Sequence, residues 1–171
     1  MSDMEMKVSI PLDDDGYLRR ECPLCLKQFK ILLTKEEKGD FVNKAINSYM
    51  VKDEKIESGD DNDLEHTCPY CGQKAHSDGW WTQEQAEFFR TIAENMAADI
   101  VNETLVKAIK GMSNDLFKVD ANEMEKKEVW MHPEINDMVV FNLDCCERKI
   151  KIEDEWNGTV YCFFCGFPHE K

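Results

Sequence analysis

Two stretches of the chain carry apolar residues at helical spacing. Phe41, Val42, Ala45, Ile46, Tyr49 and Met50 recur on one face. Thr34 and Glu37 stand ahead of them at capping-box spacing, which predicts a helix over 34–51. Phe89, Ile92, Ala93, Met96, Ala97, Ile100, Val101, Leu105, Ile109 and Met112 form a longer stripe. Thr82 and Gln85 open it with the same cap spacing, and Gly111 and Ser113 offer a stop. The predicted 82–112 helix would be about 45 Å long at about 1.5 Å per residue. Its spacing drifts from strict heptads and meets Asp99, so it is not a simple coiled coil. Elsewhere the pattern alternates. KQFKILL reads as a strand, as do MVVFNLD, RKIKIED and GTVY within 138–168. On such a strand Lys149 and Lys151 share one face while Ile150 and Ile152 share the other.

These elements divide the chain. Residues 1–16 read as a polar tail, and 17–81 as a first small β module. That module contains the 34–51 helix as an insert and an acidic loop at 53–65. The long helix follows at 82–112. Residues 113–137 read as a linker with a helical turn or two between Ala121 and Val129, and with Trp130 and Met131 docking on the long helix. Pro133 stops any helix there. Residues 138–171 form a second β module. The expected class is α+β: two small β modules joined by a long amphipathic helix. A stripe of that length must be buried, by the shorter helix and both modules together or by a second chain.

Eight cysteines give the chemistry. They fall in four pairs: Cys22 and Cys25, Cys68 and Cys71, the adjacent Cys145 and Cys146, and Cys162 and Cys165. The N-terminus has acids where an export signal needs bases, and it lacks an apolar core, so a cytoplasmic protein is expected. Disulfides fit that setting poorly, and paired thiols there are better explained as metal ligands. Zinc takes four thiolates in a tetrahedron. Glycine after the second cysteine, as in CPYCG and CFFCG, suits the positive φ of a ligand turn. Pairing the turns in chain order gives two structural Zn²⁺ sites, one from Cys22, Cys25, Cys68 and Cys71, the other from Cys145, Cys146, Cys162 and Cys165. Two other pairings of the turns satisfy the same arithmetic. CPYC is also a thiol-redox motif, but here polar residues and Gly79 follow it, where a redox fold needs a helix.

CPLC, CPYCG and FNLDCCERKIKI…GTVYCFFCG resemble zinc ribbons, in which two rubredoxin-type knuckles sit on short hairpins. The C-terminal 30 or so residues are the closer match, and the resemblance covers about 55 residues near the N-terminus, interrupted by the insert. Family members serve as nucleic-acid binders, transcription factors, interaction modules or structural domains. One departure matters: Cys145 and Cys146 have no spacer. Adjacent strand residues point to opposite faces, so both ligate only if the backbone turns there. His132 or His169 would otherwise substitute.

Acids outnumber bases 35 to 21, for a formal charge of −14. That disfavours duplex DNA and anionic lipid as partners. Arg19, Arg20, Lys27 and Lys30 flank the first knuckle, and Arg148, Lys149 and Lys151 flank the third, so nucleic-acid binding stays the chief alternative. An acidic nucleic-acid mimic is a lesser one. No nucleotide-binding or nucleophile motif is present, and closed four-thiolate zinc is a poor Lewis acid. The expectation is a non-enzymatic adaptor that recognises a protein partner, favouring a basic one, or itself through the 82–112 helix.

Overall fold

The computed structural model describes residues 8–50, 65–112 and 122–171. The acidic loop over 53–65 lies, except for Glu65, outside the described residues, as do the first seven residues of the tail and 113–121 of the linker. The protein is α+β. Strands β1 (Tyr17–Glu21) and β2 (Gln28–Leu32) form a hairpin that leads into helix α1 (Lys35–Met50). A short hairpin follows, β3 (Glu65–Thr67) and β4 (Lys74–His76). Helix α2 (Gln83–Val101) runs through a wide π-type segment (Asn102–Val106) into α3 (Lys107–Met112). The chain ends with hairpins β5 (Val139–Leu143) with β6 (Arg148–Ile152), and β7 (Val160–Tyr161) with β8 (Pro168–His169). Both predicted capping boxes form. The Thr34 and Thr82 hydroxyls accept from the Glu37 and Gln85 amides, and the Glu37 and Gln85 side chains accept from the Thr34 and Thr82 amides in return.

The two β modules do not sit at opposite ends of the helix. Their long hairpins lie edge to edge in one antiparallel sheet of order β1-β2-β6-β5. Across the seam Lys30 faces Lys151 and Ile31 faces Ile150. Lys30 and Lys151 each follow the second cysteine of a pair, Cys25 or Cys146, by five residues. The modules are therefore related by an approximate two-fold axis through this seam. The short hairpins obey it as well. The Thr67 amide donates to the Phe163 carbonyl at 3.0 Å, and the Tyr161 amide donates to the Pro69 carbonyl at 2.9 Å. Each of those donors immediately precedes a cysteine, and each acceptor immediately follows one. One core results, in which Leu18, Phe29, Ile31, Trp80, Leu143, Ile150, Ile152, Val160 and Phe163 pack together. Side chains from both modules remove apolar area from water as one unit, a larger core than either would hold alone.

The helices cover one flank. Ala45 and Ile46 of α1 pack on Phe88, Phe89 and Ile92 of α2, with Trp81 against them. The 122–135 segment runs extended along α2 and α3 in place of the expected helical turns. Asn95 clamps the Lys127 backbone through both its amide and its carbonyl, and Asn102 does the same for Met124. Met131 packs on the helical core as expected, whereas Trp130 is largely exposed.

The sheet's other face carries charge. Lys30 and Lys151 are both buried, at 0% and 1% exposure. Like charges directly opposite on a sheet repel, so an anion must lie between them. Asp13 supplies it, with its carboxylate 3.2 Å from Lys30 Nζ and 2.8 Å from Lys151 Nζ. Asp15 adds to Lys151 at 2.5 Å, and Glu134 and Asp137 each approach Lys30 to 3.1 Å. The polar tail expected over 1–16 therefore becomes structural from residue 8 onward. Ile10 and Leu12 pack on the core, while Asp13 fills the seam. Burial pushes the Asp13 carboxyl up, but Lys151, the Tyr17 amide and Lys30 more than offset it and hold the carboxyl below the ordinary range. A depressed carboxyl stabilises the fold fully above its unfolded pKa and loses that contribution only as pH falls through the lowered value. Asp13→Asn should therefore destabilise the fold at neutral pH by about 3 kcal/mol, the lower end for breaking a buried pair, because it removes the one carboxylate both ammonium groups share while Asp15 stays on Lys151 and Glu134 and Asp137 stay on Lys30. Urea denaturation of zinc-loaded protein at neutral pH measures this.

Candidate metal centres

All eight cysteine thiols converge into two groups of four. Cys22, Cys25, Cys68 and Cys71 form one, and Cys145, Cys146, Cys162 and Cys165 the other, with sulfurs in each group within 4.8 Å of one another. This is the chain-order pairing; the two alternatives are not formed. Neighbouring sulfurs stand 3.8 Å apart for Cys22 and Cys71, and 3.7 Å for Cys25 and Cys68. In the second group Cys146 and Cys162 are 3.8 Å apart, and Cys145 and Cys165 3.5 Å. A tetrahedral ion with bonds of about 2.3 Å to sulfur needs sulfurs about 3.8 Å apart. The donor set and its spacing fit Zn²⁺.

Three of the four turns share one construction. The amide of the residue after the second cysteine donates to the first cysteine's carbonyl, for Leu26, Gly72 and Gly166 at 3.0, 3.0 and 2.8 Å. The first cysteine's amide then donates to a carbonyl five residues on, at Lys27, Gln73 and Phe167. Inside the first two turns, backbone amides point at sulfur. Leu24 and Cys25 donate to Cys22 Sγ at 3.4 and 3.5 Å, and Tyr70 and Cys71 donate to Cys68 Sγ at the same distances. Such bonds favour the thiolate, the form a metal requires.

Cys145 and Cys146 reach one ion because the backbone turns at 144–147. The Cys146 amide donates to Leu143 at 3.1 Å, and Glu147 takes a φ of 51°. Leu26 holds the matching place in the first turn at 60°, and Gly72 and Gly166 in the other two at 69° and 79°. A left-handed residue thus follows every cysteine pair. Sequence reasoning recognised this only where the residue was glycine. His169 does not replace a cysteine, since its Nε2 lies 3.2 Å from Cys145 Sγ, beside the cluster. His132 is elsewhere, against Glu84 of α2.

The thiols are held unequally. Burial pushes Cys22 up, but the Cys25 and Leu24 amides more than offset it and bring it below the ordinary value. The Phe167 amide draws Cys165 down to about 7. Burial, and then neighbouring cysteines, push Cys68 and Cys145 well up. Four thiolates this close repel one another, and a divalent cation at the centre would relieve that repulsion.

The centres are also coupled across the two-fold. A Cβ on Gly72 would meet the Tyr161 ring at 3.0 Å, and one on Gly166 would meet Thr67 Oγ1 at 3.1 Å. Each knuckle's glycine is pressed by the residue that precedes a cysteine of the other centre. Tyr70 adds a further tie, donating to the Gln28 carbonyl at 2.8 Å and accepting from the Glu153 amide at 3.0 Å. Phe163 packs in the shared core, while Phe164 is half-buried beside it, under the Arg148 guanidinium 4.0 Å away. The chain matches no protein-family model, no curated protein and no solved structure.

Two predictions follow from this coupling and from the turn geometry. Chelation should remove two Zn²⁺ per chain and melt both modules in a single transition; two separated transitions by circular dichroism would show independent modules. Leu26→Gly and Glu147→Gly should each stabilise the holo protein by about 1 kcal/mol, because an L-residue pays about that to enter the left-handed region. Thermal melts of zinc-loaded variants measure it.

Proposed function

We propose that the chain is a non-catalytic recognition protein, held rigid by two structural Zn²⁺ ions, that takes a protein partner on the distal half of its long helix. The observation that carries this is how the apolar stripe is covered. Phe88, Phe89 and Ile92 are buried against α1. Further along, Ile100 is 55% exposed, Leu105 58% and Met112 76%, and no described residue covers them. Exposed apolar residues grouped on one element are a mark of contact sites.

Three further points support the reading. Cys22, Cys25, Cys68 and Cys71 would hold one ion, and Cys145, Cys146, Cys162 and Cys165 the other. Four thiolates close the coordination sphere, so the ion supplies folding energy, on the order of 10–16 kcal/mol in small domains, rather than chemistry. The formal charge of −14 favours a basic partner. The bases that argued for nucleic acid are largely committed within the fold. Arg19 pairs with Glu134 and Asp137, Lys27 with Glu153, and Arg148 with Glu37, while Lys30 and Lys151 lie in the buried seam. Lys149 remains exposed. No described helix is long and apolar enough to cross a membrane.

The test is native mass spectrometry on gently purified, zinc-loaded protein. A bound protein or a second copy, lost in Ile100→Asp with both zincs retained, is the expected result. A monomer with nothing bound at micromolar concentration, unaltered by Ile100→Asp, would remove the helix from consideration as a contact surface.

A further inference from the structure

Among the described residues, three carry buried side-chain polar atoms without a hydrogen-bond partner: Arg20, His66 and Trp80. Two of the three, Arg20 and His66, line the same cavity of about 450 Å³ between α1, the core face of the sheet and the Cys162–Cys165 knuckle. The Arg20 side chain is only 1% exposed. Its Nε and Nη1 donate to nothing, and Nη2 makes one 3.3 Å bond to the Ser77 carbonyl. No described carboxylate is within ion-pair distance of it. A guanidinium has five donors in a planar fork, and stranding it in the interior is costly.

The internal two-fold shows that the fold itself does not need these groups. Arg20 pairs with Phe29 in the first hairpin, and the matching pair in the second is Phe141 with Ile150. His66 stands two residues before Cys68, and its counterpart before Cys162 is Val160, which is fully buried. In both places the second module uses an apolar residue where the first uses a polar one with buried atoms left unpartnered.

The walls define what would satisfy them. The guanidinium carbon lies 4.3 Å from the Phe41 ring and 4.5 Å from the Trp81 ring. His66 stacks on Phe163 at 4.2 Å, and Phe164 completes an aromatic wall. Cavities of this size, apolar with a few convergent polar groups, are what small ligands use. Asp40, Asp78 and Glu37, the last paired with Arg148, also line the cavity, with Lys44, and the chain as a whole is strongly acidic, so a multiply charged anion is disfavoured. We propose that this cavity binds a monocarboxylate joined to a flat apolar group, with the carboxylate on Arg20 and His66 and the apolar body among Phe41, Trp81 and Phe163. A free aromatic acid and the C-terminus of a peptide both present that chemistry.

Isothermal titration of zinc-loaded full-length protein tests it, with phenylacetate standing for the free acid and a tetrapeptide ending in phenylalanine for the chain terminus. At least one should bind saturably at one per chain, and the tighter of the two identifies the source. Arg20→Leu should weaken that binding about tenfold or more, the worth of a charged hydrogen bond. The same variant should keep both zincs and raise the melting temperature, because it replaces a stranded charge with the kind of residue the second module uses. Asp78→Asn should leave binding intact or strengthen it, since Asp78 lines the cavity and its charge acts on Arg20. Three results would overturn the proposal: no saturable binding of either acid, equal binding of phenylacetamide, or inorganic phosphate binding as tightly as phenylacetate. Destabilisation by Arg20→Leu with ligand binding unchanged would instead make Arg20 a structural residue.

Discussion

The fold turns on two lysines that face each other across one strand pairing. Joining β2 to β6 places Lys30 opposite Lys151 inside the protein, an arrangement that repels unless an anion lies between them. Asp13 meets that need from a segment outside the sheet, and Asp15, Glu134 and Asp137 surround it. The seam thereby fixes three distant parts of the chain at once: residues 13–15, the two hairpins and 134–137. A buried ion cluster of this kind adds little net stability over an apolar one. What it contributes here is register, since a slipped pairing would leave an ammonium group without its carboxylate.

The rest follows from that register. With the hairpins locked edge to edge, the knuckles are forced into reciprocal contact, amide to carbonyl and glycine to side chain. Metal binding at the two cysteine clusters and core packing would then be one event. Each cluster could supply ligands to its own ion and gives a packing surface to the other module. The first module departs from the symmetry by inserting α1 between its two knuckles. That insert meets α2, covers half of the apolar stripe, and roofs the cavity in which Arg20 is stranded. The asymmetry therefore accounts for both surfaces that bear on function, the exposed end of the helix and the aromatic cavity.

The helix is the longest element but not the organising one. It was expected to join two separate modules, because 82–112 separates them in sequence. It instead lies along a single fused core, with the 122–135 segment clamped to it by Asn95 and Asn102. Those two asparagines are seven residues apart, two helical turns, so both point the same way. Each can satisfy both polar groups of one residue in an extended chain. Nothing local in 122–135 marks this, since an extended segment without a sheet partner has no periodicity of its own.

What the sequence determined by itself was local. Helical periodicity and capping boxes located α1 and the long helix, and thiol spacing picked out the eight cysteines that gather into two groups able to hold metal, with the chain-order pairing as the simplest of three, because side-chain period and ligand-turn geometry are short-range properties. It could not show that Leu26 and Glu147 take the left-handed place filled by glycine elsewhere, since neither residue type favours that conformation and the turn imposes it. It also could not show which bases are spent. Lys149 and Lys151 alternate in sequence, and strand geometry separates Lys151 from its neighbours Ile150 and Ile152, but only the edge pairing with β2 buries it. The same holds for Arg20 and His66. Each stands two residues before a cysteine; in sequence Arg20 is one more base beside the first knuckle and His66 carries no signal, and only the two-fold packing of one module on the other sets them where their counterparts are apolar. Tertiary structure decided these points because each rests on contacts between residues in different elements, from about sixteen to more than a hundred positions apart, which no local pattern encodes.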